Sequence, residues 1–157
     1  MITITDTQLN NLSDQAQASP RRRMNLNFHS SGNEPINRLM NAFEPGTYVR
    51  PHKHESPDKI EVFILLRGRA LVVEFNNEGT ITEYTVLDNT KGIHGVEIPP
   101  RVWHTLISLQ TGTVLYEIKQ GPYVKASDKD FASWSPREEH IDTSQKFISD
   151  IINNLSL

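Results

Sequence analysis

The sequence contains no cysteine, which excludes disulfide bridges, thiolate metal sites and cysteine nucleophiles. It has no uninterrupted apolar stretch of the roughly 18 residues that a membrane-spanning helix needs. It has no basic excess either. Lys and Arg number 16 against 19 Asp and Glu, a formal net charge of -3, whereas a general nucleic-acid binder ordinarily concentrates positive charge on one face. The one dense basic run, Arg21-Arg22-Arg23, reads as a solvated segment or as contacts within an oligomer. The first residues, Met1 to Asp6, lack the basic start and apolar core of a secretory signal. The resulting expectation is a cytoplasmic protein with neither nucleic acid nor membrane as partner.

What is present suits a single domain spanning residues 1–157, a length that supports a real core. Thr5-Asp6-Thr7-Gln8 has the form of a capping box. Leu9, Leu12 and Ala16 follow at helical spacing before Ser19-Pro20 ends the pattern, predicting a helix over 7–18. From Ile36 to Gln120 short runs rich in Val, Ile, Tyr, Phe, Leu and Thr alternate with Gly- and Pro-containing turns. The predicted strands are 38–43, 47–54, 60–67, 70–75, 80–87, 95–98, 103–109 and 113–119. That pattern predicts an all-β double-sheet jelly roll. Phe147, Ile148, Ile151, Ile152 and Leu155 then predict an amphipathic helix over 144–155. Both faces of Glu61–Leu66 are apolar apart from Glu61. Such a strand needs cover outside the barrel as well as inside, and the expectation is a homodimer, with cover by the chain's own helix as the alternative.

The chemistry lies in two blocks. His52 and His54 are two apart, so on a strand both imidazoles project to one side. Glu61 opens the next strand, and a hairpin would bring it beside them; Asp58, four residues after His54, is an alternative ligand. Further on, Pro99-Pro100 makes a rigid approach to Trp103-His104, and His104 can point inward while Trp103 packs on the opposite side. Three imidazoles and a carboxylate form a mixed site for one divalent metal ion, with zinc, iron, manganese and nickel all compatible. Tyr48 and Arg50 share strand parity with the histidines, predicting that they line the same cavity and orient a ligand. Glu117 is a candidate general base if it shares inward parity with Leu115. His29, His94 and His140 lack ligand spacing and read as turn or surface residues.

The block from Gly46 to Gly68 resembles the first cupin motif, with Gly46, His52, His54, Glu61 and Gly68 in order. The gap from His54 to Glu61 is longer than usual. The block from Gly95 to His104 resembles the second cupin motif, with Arg101 where glycine is usual and Ser108 where asparagine is usual. Arg38-Leu39-Met40-Asn41-Ala42, Tyr48-Val49-Arg50-Pro51-His52, Val96-Glu97-Ile98-Pro99-Pro100 and Phe131-Ala132-Ser133-Trp134-Ser135-Pro136 resemble the WbuC family of small cupin-fold metalloproteins. This resemblance runs from about Arg22 to Glu139, and that family occurs in bacterial surface-polysaccharide (O-antigen) gene clusters. It implies sugar chemistry. The function it implies is a metal-dependent enzyme, isomerase- or epimerase-like, acting on a small carbohydrate. Two alternatives stay open: an Fe(II) dioxygenase, and a non-catalytic metal- or sugar-binding regulatory module.

Overall fold

The computed structural model describes residues 1–124 and 128–157. Among the described residues two α-helices and ten strands follow one another as α1 (Asp6–Ala18), β1 (Arg23–Asn27), β2 (Ile36–Phe43), β3 (His52–Lys53), β4 (Glu61–Arg67), β5 (Arg69–Phe75), β6 (Ile81–Asp88), β7 (Gly95–Ile98), β8 (Trp103–Ser108), β9 (Thr113–Gln120), β10 (Asp130–Phe131) and α2 (Ile141–Asn154), with a short 3-10 helix at Asn89–Lys91. The strands form two antiparallel five-stranded sheets, ordered β1-β2-β9-β4-β7 and β10-β3-β8-β5-β6. This is the expected jelly roll. Among the described residues, no helix is long and apolar enough to cross a membrane.

Strand alternation sorts side chains into three apolar clusters. Between the sheets lie Phe43, Phe63, Leu65, Ala70, Val72, Leu87, Ile98, Leu106 and Leu115. The other side of β5 and β8 carries Leu71, Val73, Phe75 and Ile107, and α2 closes over it with Ile148 and Ile151. The outer side of the first sheet carries Met40, Ala42 and Val114, against which α1 sets Leu9, Leu12 and Ala16. Each helix thus has one apolar stripe with a sheet to bury it. The capping box at the start of α1 forms: Thr5 accepts from the Gln8 amide and the Gln8 side chain accepts from the Thr5 amide. Between β4 and β5 the chain reverses at Gly68, with φ 85°, where any side chain would run into Thr113.

Several expectations shift. The Arg-rich segment is more than a solvated stretch. Arg23 opens the edge strand β1, and Arg21 and Arg23 both ion-pair with Glu138, at 2.9 and 2.8 Å. Only His52 and Lys53 of the expected strand 47–54 join a ladder. The carbonyls just before it are taken by side chains, Tyr48 O by Arg23 and Val49 O by Thr105. The outer side of β4 is covered unevenly: Leu66 packs against the α1 cluster, whereas Ile64 is 39% exposed.

A candidate metal centre inside the barrel

His52 in β3 pairs directly with His104 in β8, putting their rings 4.5 Å apart between centroids. His54 follows on the same side, its ring 5.3 Å from that of His52. Glu61 begins β4 in the opposite sheet and reaches across the interior. Its Oε2 lies 3.0 Å from His104 Nε2 and 3.2 Å from His54 Nε2. One ligand atom from each of the four residues lies within 4.8 Å of the other three, and all four residues are buried.

Each imidazole is oriented by a backbone carbonyl. His52 Nδ1 lies 2.9 Å from Arg50 O, His104 Nδ1 lies 2.9 Å from Val102 O, and His54 Nδ1 meets Asp128 O. A carbonyl only accepts, so each Nδ1 carries a proton and each Nε2 is turned inward. His52 Nε2 is buried with no partner among the described residues. Burial, with the nearby Lys129 and His104 charges, holds His52 well below its ordinary pKa and thus neutral. Burial pushes Glu61 upward, but contacts with His104, His54 and Lys119 pull harder and keep it ionised. Three Nε2 atoms and a carboxylate oxygen converge in one buried space, one of them, His52 Nε2, with no hydrogen-bond partner among the described residues. These residues therefore fit a divalent ion.

Asp58 is not part of this group. Its carboxylate sits outside, bound by Arg101 at 2.8 and 3.0 Å. Arg101 occupies the position where the second cupin motif has glycine, and its φ of 68° accounts for that preference. Its amide donates to His54 O at 3.0 Å. Tyr48 lies elsewhere, in the outer cluster against Phe147, with its hydroxyl donating to Pro136 O at 2.8 Å. The strand parity that placed it beside the histidines does not run through the irregular segment before β3. Arg50 does line the cavity above the site, anchored on Ser135 Oγ and Ala132 O. Glu117 faces inward with Leu115 and lines the same cavity. Trp103 packs outside, near Trp134, and donates to Asn77 Oδ1 at 3.0 Å. His29 bonds the Arg38 backbone, His94 faces Asn89, and His140 precedes α2.

A buried ionic network behind the ligands was not anticipated. Lys119 Nζ lies 2.8 Å from Asp128 Oδ2 and 3.6 Å from both Glu61 Oε1 and Glu117 Oε1. Lys59 Nζ meets Asp128 Oδ1 at 2.7 Å. Asn41 donates to Glu117. Burial, helped by the neighbouring Glu61 charge, pushes the Glu117 carboxyl up to about 7. Burial works against the Lys119 ammonium, but Glu61, Glu117 and Asp128 together raise its pKa. Lys119 was legible in principle, two residues on from Glu117 and on the same side of β9. Asp128 and Lys59 carry no such spacing signal. From this floor a cavity of about 610 Å³ opens outward, within the range of small-molecule sites.

A family model described as "Domain of unknown function (DUF6016)" matches residues 4–87, more than half of the chain. The chain belongs to the DUF6016 family. The match contains His52, His54 and Glu61 but not His104 or Glu117. No curated protein matches the chain. Among solved structures, the DUF6016 chain is similar to the capsular polysaccharide assembling protein CapF from Staphylococcus aureus, with 17% identity and a TM-score of 0.58. That similarity covers 68% of this chain but only 28% of that protein. It is also similar to a cupin superfamily protein from Desulfitobacterium hafniense (12% identity, TM-score 0.52, covering 69% of this chain and 86% of that one). Oxalate oxidase in complex with glycolate gives 15% identity and a TM-score of 0.51, covering 73% of this chain and 57% of that one. At these identities the likeness is one of fold, and the fold is that of the cupins.

Proposed function

We propose that this DUF6016 chain is a metal-dependent enzyme that isomerises or epimerises a small carbohydrate during bacterial surface-polysaccharide (O-antigen) synthesis in the cytoplasm. The observation that carries the reading is the unpartnered His52 Nε2 beside Glu61, in a cavity whose floor also holds Glu117. A divalent ion held by His52, His54, Glu61 and His104 would act as a Lewis acid toward a sugar carbonyl or hydroxyl. In this reading Glu117 takes a proton from the carbon beside that carbonyl and returns it, and a carboxyl with a pKa of about 7 exchanges protons readily near neutrality. Lys119 supplies a fixed positive charge beside Glu117. Arg50 orients the ligand from the cavity wall, and Tyr48 steadies that wall through Pro136. The resemblance to the WbuC family and the fold shared with a capsular polysaccharide assembling protein both support the sugar context. A homodimer covering Ile64 belongs to the same reading.

The test is solvent deuterium incorporation. Protein loaded with zinc, manganese, iron(II) or nickel is incubated in deuterium oxide with hexose phosphates, uronates and nucleotide sugars, and the sugars are followed by NMR. The expected result is exchange next to the carbonyl, lost in Glu117→Gln and His104→Ala while both variants stay folded. No exchange with any metal sinks the isomerase reading. One observation favours a non-catalytic module instead: Asp128 joins His54 to two buried lysines, as a metal that holds the fold together would require. In that case His104→Ala unfolds when it loses the metal.

A further inference from the structure

We propose that the cavity takes an acidic carbohydrate, a sugar bearing a carboxylate or a phosphate, with its charge held at a basic mouth and its ring laid against Phe131. This rests on the sugar-directed reading above and adds the charge of the substrate. The chain as a whole is acidic, with a net charge of -3, yet Arg21, Arg23, Arg50 and Lys129 all line one cavity. Arg21 and Arg23 share a single carboxylate, Glu138. Arg50 spends its hydrogen bonds on neutral acceptors, Ser135 Oγ at 3.1 Å and Ala132 O at 2.8 Å, so its charge is fixed in place and not neutralised. Lys129 makes no ion pair among the described residues. The carboxylates at the floor do not cancel this excess. Asp128 is matched by Lys59 and Lys119, Glu117 lies 3.6 Å from Lys119 and accepts from Asn41, and Glu61 faces the metal position. A cluster of one sign at a low-dielectric mouth favours a ligand of the other sign.

The same mouth has aromatic walls. Phe131 is 48% exposed and Tyr123 45% exposed, and both line the cavity. Half-exposed rings give the apolar C–H side of a sugar a surface to cover. Phe131 also sets the spacing. Its ring centroid lies 5.1 Å from Arg50 Cζ and 6.2 Å from the His52 ring. Arg50 covers one face of Phe131, so a ligand the size of one sugar ring set against the exposed part of that ring lies within reach of both Arg50 and the metal position. A neutral sugar would fill the same space and leave the basic side chains unanswered.

The experiment is calorimetric titration of the full, zinc-loaded chain with glucuronate, glucose 1-phosphate, glucose, acetate and inorganic phosphate. The expected result is that one or both charged sugars bind about tenfold or more tightly than glucose, and more tightly than the matching simple anion. The charged sugar that binds distinguishes a carboxylate from a phosphate. Lys129→Met is expected to weaken that binding about tenfold while leaving glucose unaffected, and raising the salt is expected to weaken it further. Arg50→Met, checked for an unchanged melting temperature, is the second variant. If glucose binds as tightly as the acids, or if neither variant affects the acids, the inference is overturned while the carbohydrate reading stands. If a simple anion binds as tightly as its sugar, the mouth is an anion site only and the inference is overturned. If no sugar binds, both readings fall together.

Discussion

Asp128 holds His54 with its carbonyl and two buried lysines with its carboxylate. His54 Nδ1 donates to Asp128 O, while Oδ1 and Oδ2 accept from Lys59 and Lys119 at 2.7 and 2.8 Å. One residue thus fixes the tautomer of a metal ligand and balances the charge behind it. Asp128→Asn keeps the carbonyl and removes the charge, leaving two buried ammonium groups without their shared partner. The expected cost is about 3–5 kcal/mol, the usual penalty for breaking a buried ionic group from one side. Metal affinity is expected to change by less than about tenfold, because the carbonyl that orients His54 is kept. Urea unfolding and metal titration check the two effects, and an unchanged unfolding midpoint would contradict the charge-balance role.

The metal centre itself is tested by composition. Purified chain is expected to carry about one divalent ion, and His52→Ala and His104→Ala to carry none, because removing one of four donors opens a chelating site. Elemental analysis of the three proteins decides the matter. Chelation of the wild type is expected to lower its melting temperature, since an ion bound only by the folded state adds its binding energy to stability.

Most of this site was legible in the sequence, and the parts that were not have physical reasons. His52 and His54 could be found because strand alternation is a fixed two-residue period, Glu61 because a short hairpin returns the chain beside them, and His104 because Pro99-Pro100 stiffens the entry to its strand. The helices were legible from a capping box and a repeated apolar stripe. β1 was missed because only Met24 and Leu26 alternate with polar residues, and it is an edge strand with partners on one side. Tyr48 was misplaced because parity was extended across Thr47–Arg50, whose carbonyls at Tyr48 and Val49 are held by side chains from distant strands rather than by a ladder. Asp128 had no local signature at all. Its role depends on a loop returning to Lys59 and His54, 69 and 74 residues away in the chain, and no short-range pattern encodes such a return.

In the metal-free protein, stability depends on pH through Glu117 in a definite direction. Burial and the Glu61 charge raise its folded pKa to about 7, above the roughly 4.3 of a free glutamate. Between those values the folded state keeps a proton that the unfolded state has released. This contribution therefore falls as pH rises through that window, and above pH 7 the loss is complete. Glu117→Gln, which cannot ionise, is expected to match the wild type near pH 4 and to exceed it near pH 8. Asp128 contributes with the opposite sign: burial raises its pKa, but Lys119 and Lys59 outweigh burial and hold it below the usual range. Its stabilisation is present above the ordinary aspartate pKa and is lost as pH falls through the folded value. Unfolding curves from about pH 2 to 8 for the wild type and both variants separate these contributions, Asp128 below about pH 4 and Glu117 above it.

The C-terminal helix should behave as structural cover rather than as part of the chemistry. Ile151 is buried against the outer side of β5 and β8 in the cluster that includes Tyr48, Phe75 and Ile148. Ile151→Ala is expected to cost about 2–5 kcal/mol through lost burial and the cavity it leaves. Tyr48→Phe removes only the hydrogen bond to Pro136 O and is expected to cost about 1 kcal/mol. Metal content at saturation should be unchanged in both. If Tyr48→Phe reduced turnover without a matching loss of stability, the hydroxyl would instead be serving the ligand.

Arg101 gives a test of why the cupin motif has glycine at this position. The backbone there has φ 68°, in the left-handed region that disfavours a side chain. What Arg101 gains in exchange is a bidentate pair with Asp58 on the surface, where such pairs contribute about 0–1 kcal/mol. Arg101→Gly relieves the backbone and loses the pair, so the two effects nearly cancel and stability should change by less than about 1 kcal/mol. Arg101→Ala loses the pair and keeps the strain, so it should be the less stable of the two variants by about 1 kcal/mol. Thermal unfolding of the two variants side by side gives the comparison. If alanine proved as good as glycine, the motif's preference would have to come from something other than backbone conformation, such as the approach of the amide to His54 O.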